Sequence, residues 1–112
     1  MRQRSEIRRA KARQASKLAE IRLALVAAGF DTTVKQAAVL RVGRSTAWTV
    51  LNGDKRAGPS AHVIKPVLSS PILPIGVRRK VEQYVEEKSR GLYGHSKRRV
   101  EVFSDQFPAL TK

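Results

Sequence analysis

The stretch from Arg44 to Thr49 brings several hydrogen-bonding side chains together within six residues. The guanidinium of Arg44 is followed by hydroxyl groups at Ser45, Thr46 and Thr49, with the indole of Trp48 between them. A guanidinium donates in a fixed fork that matches paired acceptors, whereas a hydroxyl group both donates and accepts. Recognition of a partner by hydrogen bonding is therefore the chemistry that this stretch offers.

Two short predicted helices position these side chains. Thr33-Val34-Lys35-Gln36 matches a capping box and predicts a helix from Val34 to Leu40. A second helix is expected to begin near Arg44 and to stop at Asn52-Gly53. A small residue at the crossing, a tight turn and inward apolar residues are what a helix-turn-helix requires. The residues expected to supply these features are Ala37, Leu40, Val42, Gly43, Ala47 and Val50.

This segment resembles the lambda-repressor-like helix-turn-helix proteins, the phage repressor and Cro group. The closing Val50-Leu51-Asn52-Gly53 is similar to the end of their recognition helix, and the Lac-repressor group shares it. The Lac-repressor group also has a later helix that is similar to Val77-Arg78-Arg79-Lys80-Val81. In that group the helix leads to a Gly and a Tyr, as in Gly91-Leu92-Tyr93. The resemblance covers about Thr33 to Leu68. It implies an all-α fold, a compact bundle of five or six short helices that contains the helix-turn-helix.

Two positions depart from the family pattern. Arg41 occupies the place where the family usually has a glycine in the left-handed turn. A residue with a Cβ costs about 1 kcal/mol or more in that conformation. Gln36 occupies a position that is normally apolar.

The resemblance also implies roles for individual residues. Family members contact base edges from the exposed face of the recognition helix, which here carries Arg44, Ser45, Thr46 and Thr49. A guanidinium can contact guanine O6 and N7 together, worth about 1–3 kcal/mol of discrimination, which makes Arg44 the best candidate. Trp48 is expected to pack against a neighbouring helix, and the alternative is contact with a thymine methyl or a sugar. The residues expected to contact phosphate are Thr33, Lys35, Asn52, Lys55 and Arg56.

The net charge favours a polyanionic partner. The 112 residues carry a formal charge of +14, with 23 Lys and Arg against 9 Asp and Glu. Fourteen basic and four acidic residues lie between Met1 and Lys65. Nucleic acid is the commonest partner of such a surface, and an anionic membrane is the rival. A basic arm with Arg2, Arg4, Arg8 and Arg9 is expected to reach across phosphates or into a minor groove, or to form a frayed helix.

The rest of the chain is predicted to form further helices separated by Gly and Pro. The first runs from about Ser5 to Ala28, ends at Gly29 and turns Leu18, Ile21, Leu25 and Ala28 toward the core. Ser60 caps a fourth helix, Pro74 opens a fifth, and Ser96 to Phe107 could form a last one. We divide the chain into an N-terminal arm or start of helix 1 (1–17), a helix-turn-helix domain (18–92) and a C-terminal segment (93–112).

Other chemistries find little support in the composition. The absence of cysteine excludes thiolate chemistry, and two scattered histidines make a zinc site improbable. His95 beside Ser96 has no matched carboxylate, so an enzyme is the least supported class. We expect no cofactor, metal or small-molecule substrate. With no apolar run near the roughly 20 residues that span a bilayer, we expect a cytoplasmic, nucleoid-associated protein without a membrane partner.

The sequence thus predicts sequence-specific binding of double-stranded DNA, as in a bacterial or phage-type transcriptional regulator. A homodimer is expected, because one short helix reads only a few base pairs. The fifth predicted helix and the segment with Val100, Phe103 and Phe107 are the candidates for the dimer contact. The alternatives are a DNA-binding antitoxin, a non-specific architectural protein and an RNA-binding protein.

Overall fold

The computed structural model describes residues 4–52 and 58–111, and every regular element in these ranges is helical. The helices are α1 (Arg4–Ala27), α2 (Thr33–Leu40), α3 (Arg44–Asn52), α4 (Ala61–Leu68), α5 (Ile75–Ser89), α6 (Lys97–Ser104) and α7 (Pro108–Thr111). The predicted all-α fold is confirmed.

The prediction of five or six short helices is wrong for these described ranges, which contain seven. The additional helix is α7, which begins at Pro108, a residue whose fixed φ suits the first position of a helix. The two longest helices have close to their predicted lengths, since α1 has 24 residues and α5 has 15.

The two long helices lie antiparallel. Arg13 Nε of α1 contacts Glu87 Oε1 of α5 at 3.0 Å, and Lys80 Nζ contacts Glu20 Oε1 at 2.8 Å. Because the residue numbers of these contacting partners rise along α1 and fall along α5, the two helices run in opposite directions. Arg4 to Lys17, the described part of the segment proposed as an arm, forms the first half of α1.

The apolar core lies where α1 to α5 meet. Three of the four residues predicted for the inner stripe of α1, Leu18, Ile21 and Leu25, are buried. The fourth, Ala28, is exposed because α1 ends at Ala27 and the chain turns away at Gly29, whose φ is +99°. The other helices contribute the buried residues Val39, Leu40, Leu51, Ile64, Val67, Val77, Val81, Tyr84 and Val85.

The C-terminal helices extend this core along α5. The rings of Phe103 and Phe107 lie 5.1 Å apart and are 5% and 6% exposed. These two rings of the segment proposed for a dimer contact are therefore already buried within one chain.

A polar network is buried between α1 and α5. The Tyr84 hydroxyl donates to Gln14 Oε1 at 2.9 Å, and the Tyr93 hydroxyl donates to Glu87 Oε1 at 3.0 Å. The two tyrosine rings stack with centroids 5.3 Å apart. Burial raises the pKa of both hydroxyl groups, so each keeps its proton at pH values where an exposed tyrosine would begin to ionise. This network joins the N-terminal half of α1 to the rest of the fold.

Candidate nucleic-acid interface

The start of α2 is fixed by hydrogen bonds that differ from the predicted capping box. The N-cap is Thr32, whose Oγ1 accepts from the Lys35 backbone N–H at 3.2 Å, so the cap lies one residue earlier than Thr33. Gln36, the expected partner in the box, is buried and donates from Nε2 to the Phe30 carbonyl at 3.0 Å. This bond satisfies a carbonyl in the α1–α2 connection and explains a polar residue at a normally apolar position.

The turn between α2 and α3 is left-handed at Arg41, as expected. Arg41 has φ 60° and ψ 42°. Its N–H donates to the Ala38 carbonyl at 3.3 Å, and the Val42 N–H donates to the Ala37 carbonyl at 3.1 Å, which is the Schellman arrangement. Gly43 does not have a positive φ, and a Cβ built on it would meet nothing within 4 Å. The expectation that Gly43 relieves steric strain in the turn is therefore wrong.

The inner face of α3 holds this helix against the core. Ala47 is 0% exposed and Leu51 is 3% exposed, while Val50 is partly buried against the core. Ala37 of α2 is also buried, so both helices carry a small residue on their inner sides. Short side chains let helices approach closely, which fixes the direction of the opposite, outer face of α3.

That outer face carries the predicted base-contacting residues. Arg44 and Ser45 are exposed, whereas Thr46 and Thr49 are half-buried. Ser45, Thr46 and Thr49 line one groove of about 380 Å³, here called the α3 groove. The groove is also lined by Leu18, Val50, Gly58, Pro59, Ser60 and Val63. The three hydroxyl groups thus share one depression, and Arg44 precedes them on the same helix without lining it.

The predicted phosphate contacts are placed less uniformly. Thr33 is half-buried in the first turn of α2. Lys35 is exposed, and its Nζ contacts Asp31 Oδ1 at 3.1 Å. The hydrogen bond from Lys35 holds the pKa of Asp31 below its usual value. Asn52 is exposed but donates from Nδ2 to the Trp48 carbonyl at 2.8 Å. The remaining two, Lys55 and Arg56, lie outside the described residues.

The predicted arm residues lie apart from the α3 groove. Arg4, Arg8 and Arg9 are exposed in the first turns of α1, and Arg2 lies outside the described residues. The α1 residue that lines the groove is Leu18. It follows Arg8 by ten residues, a distance of about 15 Å along a helix axis. Any contact from these arginines would therefore extend the interface along α1.

The position of Trp48 contradicts the preferred interpretation. Its side chain is 50% exposed and belongs to neither the core nor the residues packed against it. Ala47 and Leu51 are four residues apart and form the buried stripe, which turns Trp48 onto the flank of α3. That spacing is a signal in the sequence that could have placed this ring correctly.

The charged side chains of α2, α3 and the turn between them are all basic. Neither α2 nor α3 contains Asp or Glu, while Lys35, Arg41 and Arg44 are exposed on them or in the turn between them. Exposed like charges without acidic neighbours on the same helices create a positive potential. The surface is therefore suited to an anionic partner with hydrogen-bonding groups.

Residues 4–52 and 58–111 contain no group of three or more His, Cys, Asp or Glu side chains that could hold a metal ion. Within these ranges, no helix has the length and apolar character needed to cross a membrane.

Comparison with known proteins identifies no relative of this chain. No family model matches the chain, and no match is found among curated proteins or solved structures.

Proposed function

We propose that this chain binds double-stranded DNA sequence-specifically, with α2 and α3 acting as a helix-turn-helix of the lambda-repressor-like type. The observation that carries the proposal is the outer face of α3. It presents Arg44, Ser45 and Trp48 to solvent while Ala47 and Leu51 anchor the helix from inside. A rigid helix with exposed hydrogen-bonding side chains can enter the major groove and read base edges.

Each of these side chains, together with the half-buried Thr49, has a distinct role in this proposal. Arg44 supplies the bidentate contact to guanine, and Ser45 and Thr49 donate to or accept from neighbouring base edges. Trp48 contacts a thymine methyl group or a sugar, which accounts for an indole that is half-exposed. Lys35 contacts a phosphate and would exchange Asp31 for it, an exchange that costs little for an exposed ion pair.

Such a protein would act as a transcriptional regulator, and we propose that it does so as a homodimer. Two copies double the number of base pairs read, because α3 alone spans only nine residues. Since Phe103 and Phe107 are buried, other apolar residues must form the contact. Leu23, Ile72 and Ile75 are 61%, 62% and 69% exposed and are available for it.

The deciding experiment is selection of binding sites from a random duplex DNA pool at about 0.15 M salt, which screens attraction by charge alone. We expect enrichment of a short motif arranged as a two-fold repeat. Arg44→Ala should weaken binding to the selected site by about tenfold or more, because the lost contact is worth about 1–3 kcal/mol. Binding can be followed by fluorescence of Trp48, the single tryptophan of the chain.

The matched control is Arg79→Ala, which removes an exposed arginine from α5, outside the α2–α3 pair. Equal losses of DNA affinity in the two variants would show that the effect comes from net charge rather than from a contact made by Arg44. A pool without enrichment, bound in a way that fades as salt rises, would favour the architectural or RNA-binding alternative instead. An enriched motif without a repeat would contradict the homodimer.

A further inference from the structure

A second basic depression lies between α4 and α6. This depression, here called the α4–α6 cleft, has a volume of about 680 Å³. Pockets for small molecules usually enclose about 300–1,000 Å³. Lys65 Nζ of α4 donates to Gln106 Oε1 at 2.8 Å, so a hydrogen bond ties α4 to the chain just after α6. No residue of α3 lines the cleft, although Gly58 and Ser60 line both the cleft and the α3 groove, so the two depressions adjoin there.

The walls of the cleft carry positive charge from three helices. Lys65 of α4, Lys88 of α5, and Arg98 and Arg99 of α6 all line it. Among the described residues that form the lining, none is Asp or Glu. Four cationic groups that converge on one depression repel one another, and a bound anion would relieve that repulsion.

Lys88 is the least exposed of these cations. Its side chain is 7% exposed, and Nζ donates to the Pro59 carbonyl at 2.9 Å and to the Tyr84 hydroxyl at 3.3 Å. The same Nζ lies 4.7 Å from the centroid of the Phe103 ring. Burial, together with the charges of Lys11 and Arg99, lowers the pKa of Lys88 to about 8. A buried amine costs free energy when charged, which a nearby anion would offset.

The cleft also has an apolar surface. Val102 lines it and is 60% exposed, and Phe103 and Ala61 lie beside it. Exposed aliphatic surface next to several cations suits a ligand with both an apolar part and a negative group. Pockets of this mixed kind place a few polar groups around a mainly apolar ligand.

We propose that the α4–α6 cleft binds a small organic anion, one that carries a carboxylate, sulfonate or phosphate group on an apolar body. Arg98 and Arg99 hold the anionic group, with Lys88 beneath it, and Val102 and Phe103 contact the apolar body. A duplex phosphate fits this site less well, because it brings no apolar body and its bulky helix cannot reach a buried Lys88.

The test uses 4-phenylbutyrate as the probe and follows backbone amide NMR shifts of the full chain at pH 7 and about 0.15 M salt. We expect saturable shifts at residues 61–65 and 96–103. The uncharged amide of the same acid and inorganic phosphate should each bind at least about tenfold more weakly, because each lacks one half of the ligand. Comparable binding by either of these two compounds would overturn the proposal.

Paired variants separate the cleft from general attraction by charge. Arg98→Gln with Arg99→Gln should weaken binding at least about tenfold. Arg79→Gln with Arg90→Gln removes two exposed arginines elsewhere and should leave binding unchanged. Equal losses in the two pairs, or an absence of saturable shifts at the cleft, would refute the site. The readout does not involve DNA, so this result and the selection experiment can fail independently.

Discussion

The outer face of α3 and the α4–α6 cleft both carry positive charge, but they hold it differently. Arg44 is exposed, whereas Lys88 is 7% exposed and hydrogen-bonded to Pro59 and Tyr84. An exposed charge costs little to hold and is screened by salt, while a buried one carries a desolvation cost that the surroundings must offset. The difference suggests broad electrostatic attraction at α3 and selective binding of a compact anion at the cleft.

The largest expected effect contrasts Gly43, which directly precedes α3, with Gly58, which lies between α3 and α4. Gly58 has φ +69°, and a Cβ there would collide with the Gln14 carboxamide and the Tyr84 hydroxyl. Gly58→Ala should therefore lower the free energy of unfolding by about 2–4 kcal/mol, from backbone strain and overpacking together. Gly43→Ala should change it by less than about 0.5 kcal/mol, because its Cβ would meet nothing within 4 Å.

Urea denaturation followed by circular dichroism measures the free energy of unfolding of both glycine variants. The contrast depends on the buried network around Tyr84, which the outer face of α3 lacks. Similar losses for the two glycine variants would show that the region around Gly58 is no more tightly packed than the turn before α3.

A smaller effect is expected from the titration of Lys88. Its pKa is about 8 in the fold against an ordinary value of 10.5, because of burial and the charges of Lys11 and Arg99. Between these values the unfolded chain binds more protons than the folded one, so the free energy of unfolding rises with pH. We expect a rise on the order of 1 kcal/mol from about pH 7.5 to pH 9. Lys88→Met should remove this rise.

Two tyrosines limit the range of that measurement. Burial raises the pKa of Tyr84 and Tyr93, so above about pH 10 the unfolded chain loses protons that the folded chain retains. Their titration lowers stability as pH rises, opposite in sign to that of Lys88. A rise below pH 9 that persists in Lys88→Met would assign the slope to another group and weaken the contrast with α3.

The smallest expected effect concerns the turn that positions α3. Arg41 is exposed at φ 60°, where glycine has no steric penalty. Arg41→Gly should raise the free energy of unfolding by about 0.5–1 kcal/mol, since relief of strain exceeds the added entropy of the unfolded chain. Arg41→Ala removes the same charge but keeps the Cβ, and it should give no such gain. Equal gains in thermal denaturation would point to charge repulsion rather than strain.

Local signals in the sequence determined much of the helical framework. Gly29 ends the first helix and Pro74 precedes the fifth, as predicted. The burial of Leu18, Ile21 and Leu25 followed from their spacing. These signals succeed because capping, chain termination and helical periodicity act between residues a few positions apart, independently of distant partners.

The candidate site was only partly predictable, because its details depend on packing between helices rather than on local signals. The sequence identified Arg44 and Ser45 as exposed, but it placed the cap of α2 one residue late and gave Gly43 a role that it does not have. It also assigned Trp48 to a helix contact, although the ring is half-exposed. Each error concerns a choice between nearly equivalent local options, which the packing of α2 and α3 decides.

What only the tertiary structure decided is which surfaces meet. Phe103 and Phe107 form an apolar pair in the sequence, yet their burial depends on α5, and Lys88 becomes a buried cation only when α6 covers it. The sequence by itself determined an all-α, strongly basic chain with a polar outer face on α3. The cleft required helices distant in sequence to pack together, because burial and desolvation are properties of the assembled surfaces rather than of any one segment.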